Sequence, residues 1–434
     1  MTDREGRRGV AAGAGRRSAT EMSGAQAERY LLSLELFGMR FGLDRMRRLM
    51  TALDHPERQF DSIHVVGTNG KSSTVRMIAA ILERHGLRTG SYLSPHLVSF
   101  EERVRIGDAD LEPAAFAAAV ARAARAAELV NRSLAGEDRV TQFEALTAAA
   151  YSELAERSVE VAVVEAGLGG RYDATNVIPS KVQVLTSVGL EHTRWLGPTI
   201  ADIAGEKLDV VRDGATLVLG PGLHPDALGV ARDVAARRHA TIVTADADPG
   251  VAVAAPGAFQ RRNFAVAIAA ARAYRGSLDD DAVAAAAAVV RVPGRLQEVA
   301  QDPLTLLDGA HNPDGIAALT ESLPAITAGR ERLVGVVSIL DDKDAAGMLA
   351  MLCRACDALV FTSSQNPRAL PPPTLQSLAR QLSGPASEVV GDPRAAIDRA
   401  RELAGPRGVV LATGSIYLVA ELLAPVGRRR ASML

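Results

Sequence analysis

The residues best suited to chemistry in this chain stand at the ends of short apolar runs. The first group is His64-Val65-Val66-Gly67-Thr68-Asn69-Gly70-Lys71-Ser72-Ser73. Gly67 and Gly70 permit tight backbone geometry, the free amides of the helix that follows point at an anion, and Lys71 brings positive charge to the outer phosphates of a nucleotide. ATP is the expected ligand, held by Gly67, Thr68, Asn69, Gly70, Lys71, Ser72 and Ser73. Only two residues lie between the glycines where the usual P-loop has four. A Gly/Asn turn ahead of a lysine-bearing surface helix is the plain alternative.

Glu165 ends the run Val163-Val164 and is followed by Gly167, Gly169 and Gly170. A carboxylate so placed beside a triphosphate suits Mg²⁺, which takes oxygen ligands and keeps waters and phosphate oxygens; pairing with Arg171 across the turn is the alternative. His192 ends the next run, so two successive strand ends deliver Glu165 and His192 to one sheet edge. Glu191 reads as a solvated neighbour, and Lys207, taken alone, as a surface lysine. Ser94 follows another strand as a candidate metal or phosphate ligand. The charged stretch from Glu101 to Arg105 reads as an irregular loop folding over a site, with His96 a loop residue. Farther on, Leu307-Asp308-Gly309-Ala310-His311-Asn312-Pro313 offers a carboxylate for a ribose hydroxyl and an imidazole that faces a nucleophile or the reacting phosphate. Thr413-Gly414-Ser415 repeats the strand-end pattern.

The elements that must position these groups alternate. Apolar runs at Ile63 to Val66, near Tyr92, at Val159 to Val164, Val182 to Val188 and Thr216 to Leu219 are separated by helical stretches, including 112–130 and 142–156. Strands without apolar/polar alternation imply a mainly parallel sheet covered on both faces. Alanine-rich helices at 263–274 and 280–290 lead to Val292-Pro293-Gly294-Arg295, a helix-breaking hinge. Beyond it the alternation restarts at Leu304 to Leu307, Leu333 to Val337, Ala358 to Phe361 and Val409 to Ala412. The expected organisation is a disordered extension over 1–21, a nucleotide-binding domain over 22–293, a hinge at 294–298 and a second α/β domain over 299–434.

Composition narrows the class. The 434 residues are 47% hydrophobic, and no apolar run approaches the length of a membrane span. A net charge of −2 excludes a protein whose main task is to coat nucleic acid. Two cysteines, Cys353 and Cys356, fall in an amphipathic stretch without further Cys or His for zinc and read as core thiols. This usage suits a reducing cytoplasm. The expected partners are small molecules, with no nucleic acid or membrane, and the expected state is a monomer.

Gly67-Thr68-Asn69-Gly70-Lys71 resembles the phosphate loop of the Mur ligase superfamily, above all its folylpolyglutamate synthase/dihydrofolate synthase branch. Seven further blocks resemble that family in its order between about residues 27 and 424: Ser94 to Leu97, Glu165 to Asn176, His192 with Trp195-Leu196-Gly197, Glu206-Lys207, Pro293-Gly294-Arg295, Asp308 to Pro313 and Thr413 to Tyr417. The resemblance implies an α/β fold with a P-loop, Mur-ligase-type central ATPase domain and a smaller Rossmann-like C-terminal domain. It further implies Mg²⁺ on Ser94, Glu165 and His192, a carbamylated Lys207, nucleotide contacts from Asn263, Arg295 and Asp308, and glutamate handled by His311 and Ser415. Phe143, in Thr141-Gln142-Phe143-Glu144, would border the pterin-bearing substrate, or else serve as a core aromatic. Lys71, His192, Lys207, Arg295 and His311 would form the catalytic set. The implied activity is ATP-dependent addition of L-glutamate to dihydropteroate or a reduced folate through an acyl phosphate. The alternatives are a Mur-type ligase with another acceptor and a P-loop ATPase switch; a missing nucleotide-sugar domain weighs against peptidoglycan precursors. Ser72 replaces the family's usual glycine, and Phe259-Gln260 and Asn263-Phe264 depart from its adenine-side residues.

Overall fold

β-Branched runs too short for helices become the strands of two mainly parallel sheets, one in each of two α/β domains. The computed structural model describes residues 22–35, 42–136 and 138–425, so the extension expected at 1–21 lies outside them. The first sheet contains β1 (Asp61–Val66), β2 (Thr89–Tyr92), β3 (Val104–Ile106), β4 (Ala109–Asp110), β5 (Val161–Glu165), β6 (Val182–Leu185), β7 (Thr216–Leu219) and β8 (Thr241–Thr244). Their order is β4-β3-β2-β5-β1-β6-β7-β8, parallel from β2 to β8 with an antiparallel edge at β3 and β4. Ile63, Val65, Val161 and Val163 join one buried cluster, while Ala162 and Val164 join the cluster on the opposite face. Both faces are dry, and the polar residues on the central strands, Ser62, His64 and Gln183, are fully buried.

Helices Lys71–Arg84 and Ala258–Arg275 cover one face and pack on each other; Pro113–Arg132 and Gln142–Glu156 do the same on the other. Thr141 starts the last of these with a capping box, its amide donating to Glu144 Oε2 at 2.9 Å while its hydroxyl accepts the Glu144 amide at 3.3 Å.

The second sheet holds β9 (Gln297–Gln301), β10 (Leu304–Leu307), β11 (Leu333–Val337), β12 (Ala358–Phe361), β13 (Ala386–Val389) and β14 (Val409–Thr413), in the order β13-β12-β11-β14-β10-β9. All its pairings are parallel except β9 with β10. β3, β4, β8, β9 and β13 were not legible as apolar runs. Each lies at or next to a sheet edge, and β8, β9 and β13 are exposed or half-buried along their lengths.

One local expectation is corrected. The stretch Glu101 to Arg105 is not irregular: a 3₁₀ turn, Phe100–Arg103, runs directly into β3. The Glu102 carboxylate accepts the amides of Leu97, Val98 and Ser99, each at 2.8 Å. Buried Arg103 donates to His96 Nδ1 at 2.8 Å, so His96, in the loop between β2 and the 3₁₀ turn as expected, is packed against Phe100. The cysteines are free thiols on or beside helix Ala345–Ala355, and burial pushes the Cys356 thiol up to about 12. Among the described residues no helix is long and apolar enough to cross a membrane.

Candidate active site

A cleft of about 890 Å³ opens where the carboxyl edges of the two sheets approach each other, and every residue singled out above for ATP, metal, glutamate or folate lines it. The phosphate loop is one wall. Gly70 takes φ +85° as it enters helix Lys71–Arg84, a left-handed conformation that side chains resist. A β-carbon on Gly67 would lie 1.9 Å from Thr186 Oγ1, so the loop closes on the β6 end only because that position lacks one. The closure is stitched by hydrogen bonds from Thr186 Oγ1 to the Asn69 carbonyl at 2.7 Å and from the Asn69 amide to Ser187 Oγ at 2.9 Å. Lys71 Nζ bends back to the carbonyls of Gly67 and Thr68, 3.1 Å from each.

Glu165, at the end of β5, does not pair with Arg171, which instead meets Glu206 and Asp209. Its carboxylate accepts from Ser72 Oγ at 2.9 Å and from the Ser94 amide at 3.1 Å. Burial pushes this carboxyl up, and Lys71 opposes that. Ser94 Oγ is buried with no hydrogen-bond partner. Carboxylate, serine hydroxyl and an orphaned hydroxyl form an oxygen-donor set that fits a hard divalent cation sharing its remaining ligands with phosphate and water. Among the described residues no three His, Cys, Asp or Glu side chains cluster in metal-binding geometry, so protein carboxylates and imidazoles alone build no closed cage. His192 has φ +53° and precedes the short helix Thr193–Leu196, and its side chain is 40% exposed at the cleft.

Lys207 is the clearest correction to a residue read alone. It is buried, 4% exposed, and Nζ donates to the Gly67 carbonyl at 2.9 Å. Burial, reinforced by Lys71, pushes its amine down to about 7. A β-carbon on Gly170 would sit 2.5 Å from the Lys207 carbonyl, so the glycine-rich loop after Glu165 is what admits this helix.

Asp308 is buried at the end of β10, and its oxygens accept the amides of Leu296 at 2.9 Å and Ala310 at 2.8 Å. It braces the hinge against the His311 turn, a role invisible in sequence. Asn263 faces Gly70 and donates to Gln260 Oε1 at 3.0 Å. Arg295 lies against Gly309 and opposes the burial-driven rise of Asp308. Ser415 caps helix Ile416–Leu423. Phe143 lines the cleft and stacks on Tyr92 with centroids 6.1 Å apart, in keeping with its reading as a core aromatic. Beside it Asp173, given no role from sequence, is a buried carboxylate accepting from the Leu168 amide at 2.8 Å.

Glu191 is not solvated. Its side chain is 9% exposed and receives Lys343 Nζ at 2.9 Å, Asn312 Nδ2 at 3.0 Å and His311 Nε2 at 3.3 Å. Burial tends to raise this carboxyl, but His311 and Lys343 together hold it well below the usual range. Lys343, in Asp341-Asp342-Lys343-Asp344, reads in sequence as surface charge and carried no signal of this contact.

Residues 294–416 match the family described as Mur ligase, glutamate ligase domain. The chain is 34% identical over 429 residues to the dihydrofolate synthase/folylpolyglutamate synthase of Mycobacterium tuberculosis, covering 86% of this chain and 88% of that one. Among solved structures, E. coli FolC in complex with DHPP and ADP superposes with a TM-score of 0.82 at 29% identity, over 92% of this chain and 97% of that one. A bifunctional folylpolyglutamate synthase/dihydrofolate synthase from Yersinia pestis, complexed with AMPPNP and Mn ion, gives 0.80 at 31% identity with the same coverages.

Proposed function

Since the chain belongs to the folylpolyglutamate synthase/dihydrofolate synthase family, we propose that it joins L-glutamate to a folate-type carboxylate, dihydropteroate or a reduced folate, at the expense of ATP. One observation carries this reading: a phosphate loop, an oxygen-donor set, and His311 and Ser415 of the second domain line a single cleft between two domains.

The acceptor carboxylate attacks the γ-phosphorus of ATP, giving an acyl phosphate and ADP. The amine of glutamate then attacks the acyl carbon, phosphate leaves, and the amine proton is lost as the amide forms. The loop amides and Lys71 hold the transferring phosphoryl group and offset its charge. Ser94, Glu165 and His192 are the residues that would hold Mg²⁺, which supplies charge neutralisation between the phosphates when bound. Arg295 reaches the same space from the hinge, and approach of the two domains keeps water from the acyl phosphate. Asn263 and Asp308 serve the nucleoside end, while His311 and Ser415 face the amine. Phe143 offers an aromatic face, and Asp173 a carboxylate, to the acceptor's ring system.

Lys207 suits carbamylation, because a buried amine pushed down to about 7 is partly neutral near physiological pH and can attack CO₂. A domain division at 293 is supported by the helix-breaking Pro293-Gly294 pair between the two sheets, with the hinge ending before β9 begins at Gln297. A monomeric, cytoplasmic enzyme is the accompanying expectation. Product analysis after incubation with Mg-ATP, glutamate and each pterin tests the reading: an acceptor extended by one glutamyl unit supports it, and ATP turnover indifferent to both co-substrates would replace it with an ATPase.

A further inference from the structure

Glu191 belongs to the loop that follows β6 in the first domain, yet the three side chains that meet its carboxylate all come from the second: Lys343 and Asn312 as donors, and the His311 ring with Nε2 at 3.3 Å. Asn312 uses its whole amide. Its two hydrogens go to Glu191 Oε2 at 3.0 Å and Asn69 Oδ1 at 3.1 Å, and its oxygen accepts from Asn69 Nδ2 at 3.2 Å and the Gly315 amide at 2.7 Å. Asn69 is in the phosphate loop, and the same loop binds back to the segment leading to Glu191, since Thr68 Oγ1 accepts the Gly189 amide at 3.0 Å. A β-carbon on Gly189 would lie 2.0 Å from Asp314 Oδ2, so that segment touches helix Pro313–Ile326 directly. The result is a closed circuit of phosphate loop, Glu191 and the second-domain turn.

A buried ion pair adds little net stability compared with apolar packing of the same volume, but a carboxylate with both oxygens engaged is strongly directional. We propose that Glu191 is a positioning residue for the ligase reaction, holding His311 and Lys343 in register with the phosphate loop so that nucleotide-side and amine-side groups assemble as one unit. This rests on the ligase reading above.

The test uses the full chain with Glu191→Gln, which keeps size and removes charge. Affinity for Mg-AMPPNP, read from the single tryptophan, Trp195, at the cleft, is expected within about threefold of wild type, because the phosphate contacts lie in the first domain. The kcat is expected to fall at least about tenfold, the scale of one charge-assisted hydrogen bond. Lys343→Met should behave alike, and the double variant should be no worse than the weaker single one, since both break one contact. Wild-type kcat in Glu191→Gln, or losses that simply multiply, would overturn the proposal. Hydrogen exchange provides a readout independent of turnover. Amides of residues 67–73 and 312–315 should lose protection together in Glu191→Gln, whereas loss confined to 189–193 overturns the coupling. Should the wild-type chain release no ADP in response to glutamate while that joint loss is seen, the ligase reading fails and the coupling stands.

Discussion

Asn69 and Asn312 exchange two side-chain amide hydrogen bonds, at 3.2 and 3.1 Å, across 243 positions of sequence. One belongs to the turn that cradles phosphate and the other caps the first helix of the second domain, its oxygen accepting the Gly315 amide. The contact places the starts of helices Lys71–Arg84 and Pro313–Ile326, one from each domain, at the same cleft.

Ser94→Ala separates function from folding. The hydroxyl it removes is buried without a partner, so thermal stability should stay level or rise by up to about 1 kcal/mol. Turnover should fall about tenfold or more, with a higher Mg²⁺ concentration for half-saturation, because one oxygen donor is gone. Parallel melting curves and Mg²⁺ titrations check this; a variant that is both destabilised and fully active would contradict it.

Lys71→Met removes the ammonium that folds back on the Gly67 and Thr68 carbonyls. Loss of charge at the transferring phosphoryl group should lower kcat by at least about 100-fold, with a smaller effect on nucleotide affinity. Steady-state kinetics alongside AMPPNP binding distinguish the two terms.

Lys207 gives a pH signature. Its folded amine, near 7, sits below the ordinary 10.5, so between those values the unfolded chain holds a proton that the native chain has released. Stability should therefore rise with pH from about 7 towards 10, and the burial penalty should be complete below 7. Melting temperatures of wild type should climb more steeply over pH 7–9 than those of Lys207→Met. Activity should also respond to bicarbonate above pH 7, since carbamate formation consumes the neutral amine, and Lys207→Met should be insensitive.

The parts of this site that sequence revealed are those built from consecutive residues. Gly67 to Ser73 carries its backbone geometry and its charge in one segment, and Glu165 stands at the end of a run too apolar to hold a carboxylate without purpose. Glu191 and Lys343 were missed because each looks like surface charge, and only the approach of the two domains removes water from both. Asp308 lines the cleft, but its bracing of Leu296 depends on hinge geometry that no local pattern encodes. The unforeseen strands β8, β9 and β13 are exposed or half-buried edges, where polar residues are tolerated and the apolar signal fades.

The two thiols should differ from ordinary cysteines. Burial pushes Cys356 up to about 12 and raises Cys353 as well, so the native chain at pH 8 should react slowly with a thiol reagent, Cys356 least of all. Unfolding in denaturant should release both. Rapid reaction of two thiols in the native state would mean that helix Ala345–Ala355 is not packed as described.

The measurement that bears most directly on the central claim is ADP release from Mg-ATP with L-glutamate, with and without dihydropteroate or tetrahydrofolate, with the products identified by mass. ADP formation that requires both glutamate and a pterin, matched by one glutamyl unit on the acceptor, is the predicted result. ADP formed at the same rate without either co-substrate, and no new amide, would contradict it.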